Sequence, residues 1–303
     1  MCDHPDTEQL GRLPRTARHL VVGAGQLGRA LERALTEIRY PVRLAERREF
    51  DLREPANFAE IIKGEAFDVV WLTAAATAVD WCESNERETV LVNAVAPGVI
   101  AEICREAGIR LFHFSTDYVF SGIDGAGIRS TPYLEDDSPD PISVYGASKL
   151  EGERRALAAN PYVTIVRTSG LYSVEGKCFF NAIIEKARRG EIVSVVDDQV
   201  ASPTYVDELA EWLVRGFRQL PPGIVHLAAG GGVSWRRAAE AAFELAGIGR
   251  DKVVEITSRE LARLARRPAY SVLASRVLPE LALPCMANWL EGLARWAADR
   301  AHD

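Results

Sequence analysis

Apolar positions along this chain alternate between two periods, and that alternation outlines a fold before any single residue is considered. His19-Leu20-Val21-Val22 is a short apolar run that ends in a glycine turn. Beyond the turn, Leu27, Ala30, Leu31, Ala34 and Leu35 recur at the spacing of one helix face. The succession repeats. Val42–Ala45 leads to a helix over 55–62, and Asp68–Leu72 leads to a long helix from Thr89 to Ala107. Arg110–Ser115 ends at the polar Ser115-Thr116-Asp117. A loop rich in Gly, Pro and Asp follows to Ser143, then a helix from about Tyr145, a strand over Val163–Arg167 and a mainly helical final third. Strands alternating with helices predict an α/β fold, a Rossmann-type doubly wound parallel sheet with helices on both faces. Its ligand crevice lies beyond the carboxyl ends of the strands. Residues 1–17, polar and carrying Pro5, Gly11 and Pro14, read as a flexible leader.

Composition narrows the functions. The 303 residues are 48% hydrophobic and 26% charged with a net charge of −7, which argues against broad attraction to nucleic acid or an anionic membrane. No run approaches the roughly 18 apolar residues of a membrane span. Met1-Cys2-Asp3-His4-Pro5 has neither the basic nor the apolar stretch of a signal peptide, so the expected location is cytoplasmic. Cys2, Cys82, Cys104, Cys178 and Cys285 are odd in number and scattered, as are His4, His19, His113, His226 and His302, and no metal site is expected.

Gly23-Ala24-Gly25-Gln26-Leu27-Gly28 is a G-x-G-x-x-G string set between a strand and an amphipathic helix. The first glycine permits the turn, the second lets backbone approach a pyrophosphate, and the third allows helix and strand to pack closely. Glu46, 18 residues beyond Gly28, stands where an acid accepts the adenine-side ribose hydroxyls. Arg47 and Arg48 follow at once, and an arginine there suits a 2′-phosphate instead. The arginines turn the reading toward NADPH, with NADH as the alternative. Asp51 and Leu52, and Ala74 and Ala75, on loops after the second and third strands, complete the expected cofactor set.

Tyr145-Gly146-Ala147-Ser148-Lys149 puts tyrosine and lysine at i and i+4, on one face of a helix. Reducing a ketone needs a proton donor beside the hydride source. A free phenol titrates near 10, and an ammonium one turn away favours the phenolate, bringing its pKa nearer neutrality. Thr116, at the end of the fourth strand, is placed to orient the carbonyl. The acids Glu135-Asp136-Asp137 and Asp197-Asp198 lack companion ligands and read as solvated loop residues. Trp212, Trp235, Trp289 and Trp296 read as core, and Cys178 as a small pocket residue with no adjacent histidine or helix start to activate it.

These motifs, in this order, resemble the dTDP-4-dehydrorhamnose reductase family of extended short-chain dehydrogenases. The likeness is carried by Gly25-Gln26-Leu27-Gly28, Thr77-Ala78-Val79-Asp80, Val92-Asn93-Ala94 and Phe114-Ser115-Thr116-Asp117-Tyr118-Val119-Phe120. It continues through Tyr145–Glu153, Arg167-Thr168-Ser169, Ser202-Pro203-Thr204, Asp207-Glu208-Leu209-Ala210 and Arg267-Pro268, and spans roughly residues 18–296. The resemblance implies a cofactor domain over 18–169, with 190–230 returning to it, and a smaller substrate-binding part formed by 170–189 and 231–303. It implies Tyr145 as the acid, Lys149 as its tuner and ribose ligand, and Thr116 on the keto oxygen. Ala76, Val79, Thr116, Asp117, Tyr118, Gly170, Cys178 and Arg267 are expected at a nucleotide-sugar substrate, and a homodimer is conceivable.

Departures from the family's pattern are equally specific. The glycine loop is one residue shorter than usual, Gly170 stands where a tryptophan is usual, Cys178 where an asparagine is, and Ala76 where a tyrosine is. They predict retained chemistry on an altered sugar, with Gly170 opening a space in the pocket wall. Two other readings compete with the reductase: a cofactor-binding regulatory subunit, and an epimerase or dehydratase. Dehydratases of the broader group carry acids beside the strand-four threonine, whereas Asp117 is followed here by Tyr118.

Overall fold

The computed structural model describes residues 16–301; the expected leader lies outside them up to residue 15, with Cys2 and His4, as does His302. Six parallel strands form the central sheet: β1 (His19–Val22), β2 (Val42–Ala45), β3 (Val69–Leu72), β4 (Arg110–Thr116), β5 (Thr164–Thr168) and β6 (Gly223–His226). Their spatial order is β2-β1-β3-β4-β5-β6. The order reverses between β1 and β3, and a crevice opens at the carboxyl ends of strands that diverge in this way.

Strand residues alternate between two helical layers. Val21, Trp71, Phe112 and Val166 face α1 (Gln26–Glu37) and a later helix (Val206–Gly216), whose Leu27, Leu31, Leu209 and Leu213 complete that core. Leu20, Val22, Val70, Leu72, Leu111 and Ile165 face the other layer, built from α2 (Phe58–Gly64), α4 (Ala96–Ala107) and α5 (Val144–Ala159). Between β3 and α4 lies the short α3 (Val79–Ser84). Burial on both faces explains why these strands read as unbroken apolar runs.

The helix expected from Thr89 to Ala107 is interrupted. A turn over Glu86–Val90 passes into a π-helical stretch, Leu91–Val95, before α4 begins. Pro97 has no N–H to give the Asn93 carbonyl, and the wider turn follows from that missing bond.

A further core joins Tyr172, Tyr205 and Val195 to α6 (Phe179–Arg188), α8 (Trp235–Leu245) and α9 (Trp289–Ala301), through Phe180, Ala239, Phe243 and Trp296. Val206–Gly216, hereafter α7, precedes β6 and returns the chain to the sheet. The final third is less helical than its pattern suggests, since Val253–Ile256 pairs in parallel with Val193–Val196. Among the described residues no helix is long and apolar enough to cross a membrane.

Candidate active site

The glycine string forms a backbone cradle at the switch point. A Cβ on Gly28 would lie 1.8 Å from the Gly23 carbonyl oxygen, and one on Gly23, whose φ is +109°, would lie 2.7 Å from Ala74. Gly25, which precedes α1, has nothing within 4 Å of its own Cβ position and opens onto the crevice. The residues therefore fit a dinucleotide: bare backbone at a helix N-terminus, with room for a pyrophosphate. The crevice holds about 1020 Å³ and runs from Glu46 and Arg47 to Thr116, Tyr145 and Lys149.

Gly23, Gly25, Gln26, Leu27, Gly28, Asp51, Leu52, Ala74 and Ala75 all line it. Arg48 does not: its side chain is 81% exposed and rests 3.5 Å from Glu46. Arg29 lines the crevice and approaches the other side of Glu46 at 3.7 Å. It follows Gly28 directly, and its reach to Glu46 depends on how α1 leans over β2. Arg47 stands 3.7 Å from both Asp51 and Glu88.

Thr116, Tyr145 and Lys149 meet at the other end. Ser143 Oγ caps α5 by accepting from the Gly146 N–H at 3.1 Å. Two glycines let this helix sit directly on neighbouring backbone. A Cβ on Gly146 would lie 2.1 Å from the Tyr118 carbonyl oxygen, and one on Gly152 2.1 Å from that of Asn93. Thr116 Oγ1 accepts from the Tyr118 N–H at 3.2 Å, and its hydroxyl lies beside the Tyr145 phenol. Lys149 Nζ donates to the Phe114 carbonyl at 2.7 Å. Burial lowers the lysine to about 8, opposed by Glu153 one turn further on. Glu153 itself accepts from Arg167 at 2.9 and 2.6 Å in a fully buried pair. The Tyr145 phenol is pushed up by burial, with the Thr116 hydroxyl opposing. Burial is the largest influence on the phenol, and the Asp117, Tyr118 and Cys82 side chains add to it.

The π turn places Asn93 at the site. Its side chain accepts from the Ala76 N–H at 2.8 Å, donates to the Ala76 carbonyl at 3.0 Å and reaches Ser148 Oγ at 3.1 Å. It fastens the loop after β3 to α5. Wide turns of this kind gather at functional sites, and its traces in the sequence are Pro97 and the Val92-Asn93-Ala94 stretch of the family pattern.

The expected substrate residues divide. Ala76 and Gly170 line the crevice beside Thr116; Val79, Asp117, Tyr118, Cys178 and Arg267 do not. Arg267 is committed to Asp80 in two bonds of 2.7 and 2.8 Å. Tyr118 packs edge-on against Tyr145 with ring centroids 5.8 Å apart. Asp117 is 2% exposed and lies behind Thr116, its carboxylate taken up by hydroxyls. Cys178 does stand at a helix start: its Sγ caps α6 by accepting from the Asn181 N–H at 3.5 Å. Nor does Gly170 open a space in the direction of its Cβ. With φ at +54°, that Cβ would meet Pro203 at 3.1 Å and the Trp235 ring at 3.4 Å.

The loop acids all carry hydrogen bonds, and Asp136 and Asp198 are also exposed to solvent as expected. Glu135 accepts from the backbone N–H of His226 and of Arg276 at 3.1 and 2.9 Å, and Asp198 from Ser258 Oγ at 2.7 Å. Among the described residues no group of three or more His, Cys, Asp or Glu is arranged to hold a metal ion.

An open parallel sheet whose switch point carries a glycine cradle is the architecture of dinucleotide-dependent oxidoreductases, and the Tyr-Lys helix in the same crevice places this fold among the short-chain type. The family is narrower. Residues 18–301 match the RmlD substrate binding domain, and the chain belongs to that family. It is 39% identical over 290 residues to a dTDP-4-dehydrorhamnose reductase of Mycobacterium tuberculosis, with 92% of each chain covered. It is 35% identical to a probable dTDP-4,6-dihydroxy-2-methyloxan-3-one 4-ketoreductase of Streptomyces antibioticus, over 91% of this chain and 93% of that one. Its structure superposes with a TM-score of 0.88 on the dTDP-4-dehydrorhamnose reductase of Bacillus anthracis in complex with NADP, 29% identical, over 94% of this chain and 100% of that chain.

Proposed function

We propose that this protein reduces the 4-keto group of a dTDP-linked deoxyhexose, drawing the hydride from NADPH. The reading rests on one observation above others: the glycine cradle and the Thr116–Tyr145–Lys149 set line a single crevice. The relatives supply the substrate class, since those named above act on dTDP-linked sugars, and the Bacillus anthracis protein is described with NADP.

Bound in the cradle, the dinucleotide supplies a hydride and nothing else. The protein's residues do the rest. Gly23, Gly25 and Gly28 admit the pyrophosphate, and Arg47 with Arg29 flanks the adenine-side ribose and its 2′-phosphate. Lys149, fixed on the Phe114 carbonyl, faces the nicotinamide ribose. Thr116 orients the keto oxygen, and Tyr145 gives that oxygen its proton. Ala76 and Gly170 border the sugar. Tyr118, packed edge-on against Tyr145, supports the phenol from the side. We further assign 18–169 and 190–230 to cofactor binding and the remaining described segments to the sugar nucleotide, in a cytoplasmic protein able to pair as a homodimer. A panel of dTDP- and UDP-linked 4-keto-6-deoxyhexoses with NADPH and NADH tests the reading. Turnover is expected with dTDP-linked members and NADPH. Cofactor binding without turnover of any member would contradict it and return the regulatory alternative.

A further inference from the structure

Asp117 is a buried acid directly behind the residue that is to hold the keto oxygen, and the proposed reaction leaves it without a task. Its Oδ2 accepts from Ser169 Oγ at 2.8 Å and from Ser271 Oγ at 2.5 Å. Ser169 lies just beyond β5 and Ser271 in the segment before α9, so two distant parts of the chain fill that oxygen with donors. Ser169 Oγ also receives the Ser202 N–H at 3.3 Å, which commits its own hydrogen to Asp117. A proton on Asp117 therefore goes to Oδ1, and Oδ1 faces Thr116 Oγ1 at 3.1 Å.

Counting hydrogens gives the consequence. Thr116 has one hydroxyl hydrogen, a Tyr118 N–H already pointing at its oxygen, and the Tyr145 phenol beside it. When Asp117 is ionised, that hydrogen is drawn to Oδ1 and the phenol donates to Thr116. Both hydrogens then point away from the substrate. When Asp117 is neutral, its own O–H donates to Thr116, which frees the Thr116 hydrogen and the phenol hydrogen for the keto oxygen. We propose that Asp117 is a positioning residue whose proton, carried on Oδ1, turns the Thr116 hydroxyl toward the substrate in the reducing form of the site. Asp117 keeps its proton through turnover: as hydride adds to the carbonyl carbon, the oxygen takes its proton from Tyr145.

The surroundings suit a proton that comes and goes near neutrality. Burial raises the Asp117 carboxyl to about 6 against the pull of its three hydroxyl partners. The charged and titratable groups facing it are Tyr118 from its own turn, Tyr145 and Lys149 from α5, and Arg263 and Arg267 across Tyr118. None pairs with it: Lys149 donates to the Phe114 carbonyl, and both arginines pair with Asp80.

The proposal rests on the ketoreductase reading, and pH profiles of kcat/KM for NADPH-dependent reduction between about pH 5 and 8 test it. In the wild type, reduction falls as pH rises above about 6, approaching tenfold per unit where the ionised form is inactive. Asp117→Asn offers an amide N–H to Thr116 at every pH and is expected to lose that inflection while remaining active. Ser271→Ala removes one donor to the carboxylate, and the inflection is expected to move up by about one pH unit. A purely structural Asp117 would move neither. An unaltered inflection in Asp117→Asn, an inactive Asp117→Asn that still folds and binds NADPH, or an unmoved inflection in Ser271→Ala would each overturn the proposal. No reduction by the wild type at any pH would instead overturn the ketoreductase reading on which it depends.

Discussion

Tyr145 and Lys149 are set apart by what burial does to each. The phenol is raised and so stays protonated across the working range, as a proton donor must. Replacing it with phenylalanine removes only that proton source. Tyr145→Phe is expected to lower kcat by about 10²–10⁴-fold, with NADPH affinity nearly unchanged; near-normal turnover would rule out the phenol as the acid. Lys149 moves the opposite way in charge, from an ordinary value of 10.5 to about 8. Between those two pH values the unfolded chain binds more protons than the folded one, so stability rises with pH through that window. Below about pH 8 the buried ammonium is a standing cost. Lys149→Met is therefore expected to abolish turnover yet stabilise the fold at pH 7 by on the order of 1–3 kcal/mol, less whatever the Phe114 carbonyl loses. Denaturant melts at pH 7 and pH 10 check this: the gain should shrink at the higher pH, and a mutant less stable at pH 7 would contradict it.

The elements carry the site by close backbone approach. Residue type reveals such contact only where glycine is required. The G-x-G-x-x-G string was readable because its spacing has one familiar geometric use, and the i, i+4 pair because a helix must place both side chains on one face. Asn93 was not readable in the same way. Its role comes from a π turn that Pro97 induces, which shifts the helical register and brings the amide to Ala76. Trp235 against Gly170 was hidden for a similar reason, since it depends on where a distant segment lands, whereas the Cys178 cap is local and was missed because sulfur is not among the usual capping groups. Gly152 is where this packing is most sensitive. A methyl there would stand 2.1 Å from the Asn93 carbonyl, backbone against backbone. Gly152→Ala is expected to cost about 1–3 kcal/mol or more and to lower kcat by displacing Tyr145 and Lys149 from Thr116. Unchanged thermal stability and kcat would show that α5 can move away freely.

Across the whole molecule, the order β2-β1-β3-β4-β5-β6 brings the glycine loop after β1, the Ala74–Ala76 loop after β3 and Thr116 at the end of β4 to one edge of the sheet. Strand alternation alone made that edge legible. The packing behind Gly170 was not, because Pro203 and Trp235, which meet it, come from segments distant in the chain. In the proposed reaction hydride passes to the sugar's carbonyl carbon within this crevice. Deuterium-labelled NADPH tests it most directly, with a dTDP-linked 4-keto-6-deoxyhexose as acceptor and the product's carbon 4 examined for the label. With deuterium at both hydrogens of the nicotinamide C4, one deuterium is expected on the sugar carbon for each NADPH consumed, with kcat/KM of about 10⁴ M⁻¹s⁻¹ or more. Conversion of the sugar with the label retained by the cofactor, as in a redox-neutral epimerisation or dehydration, would contradict it.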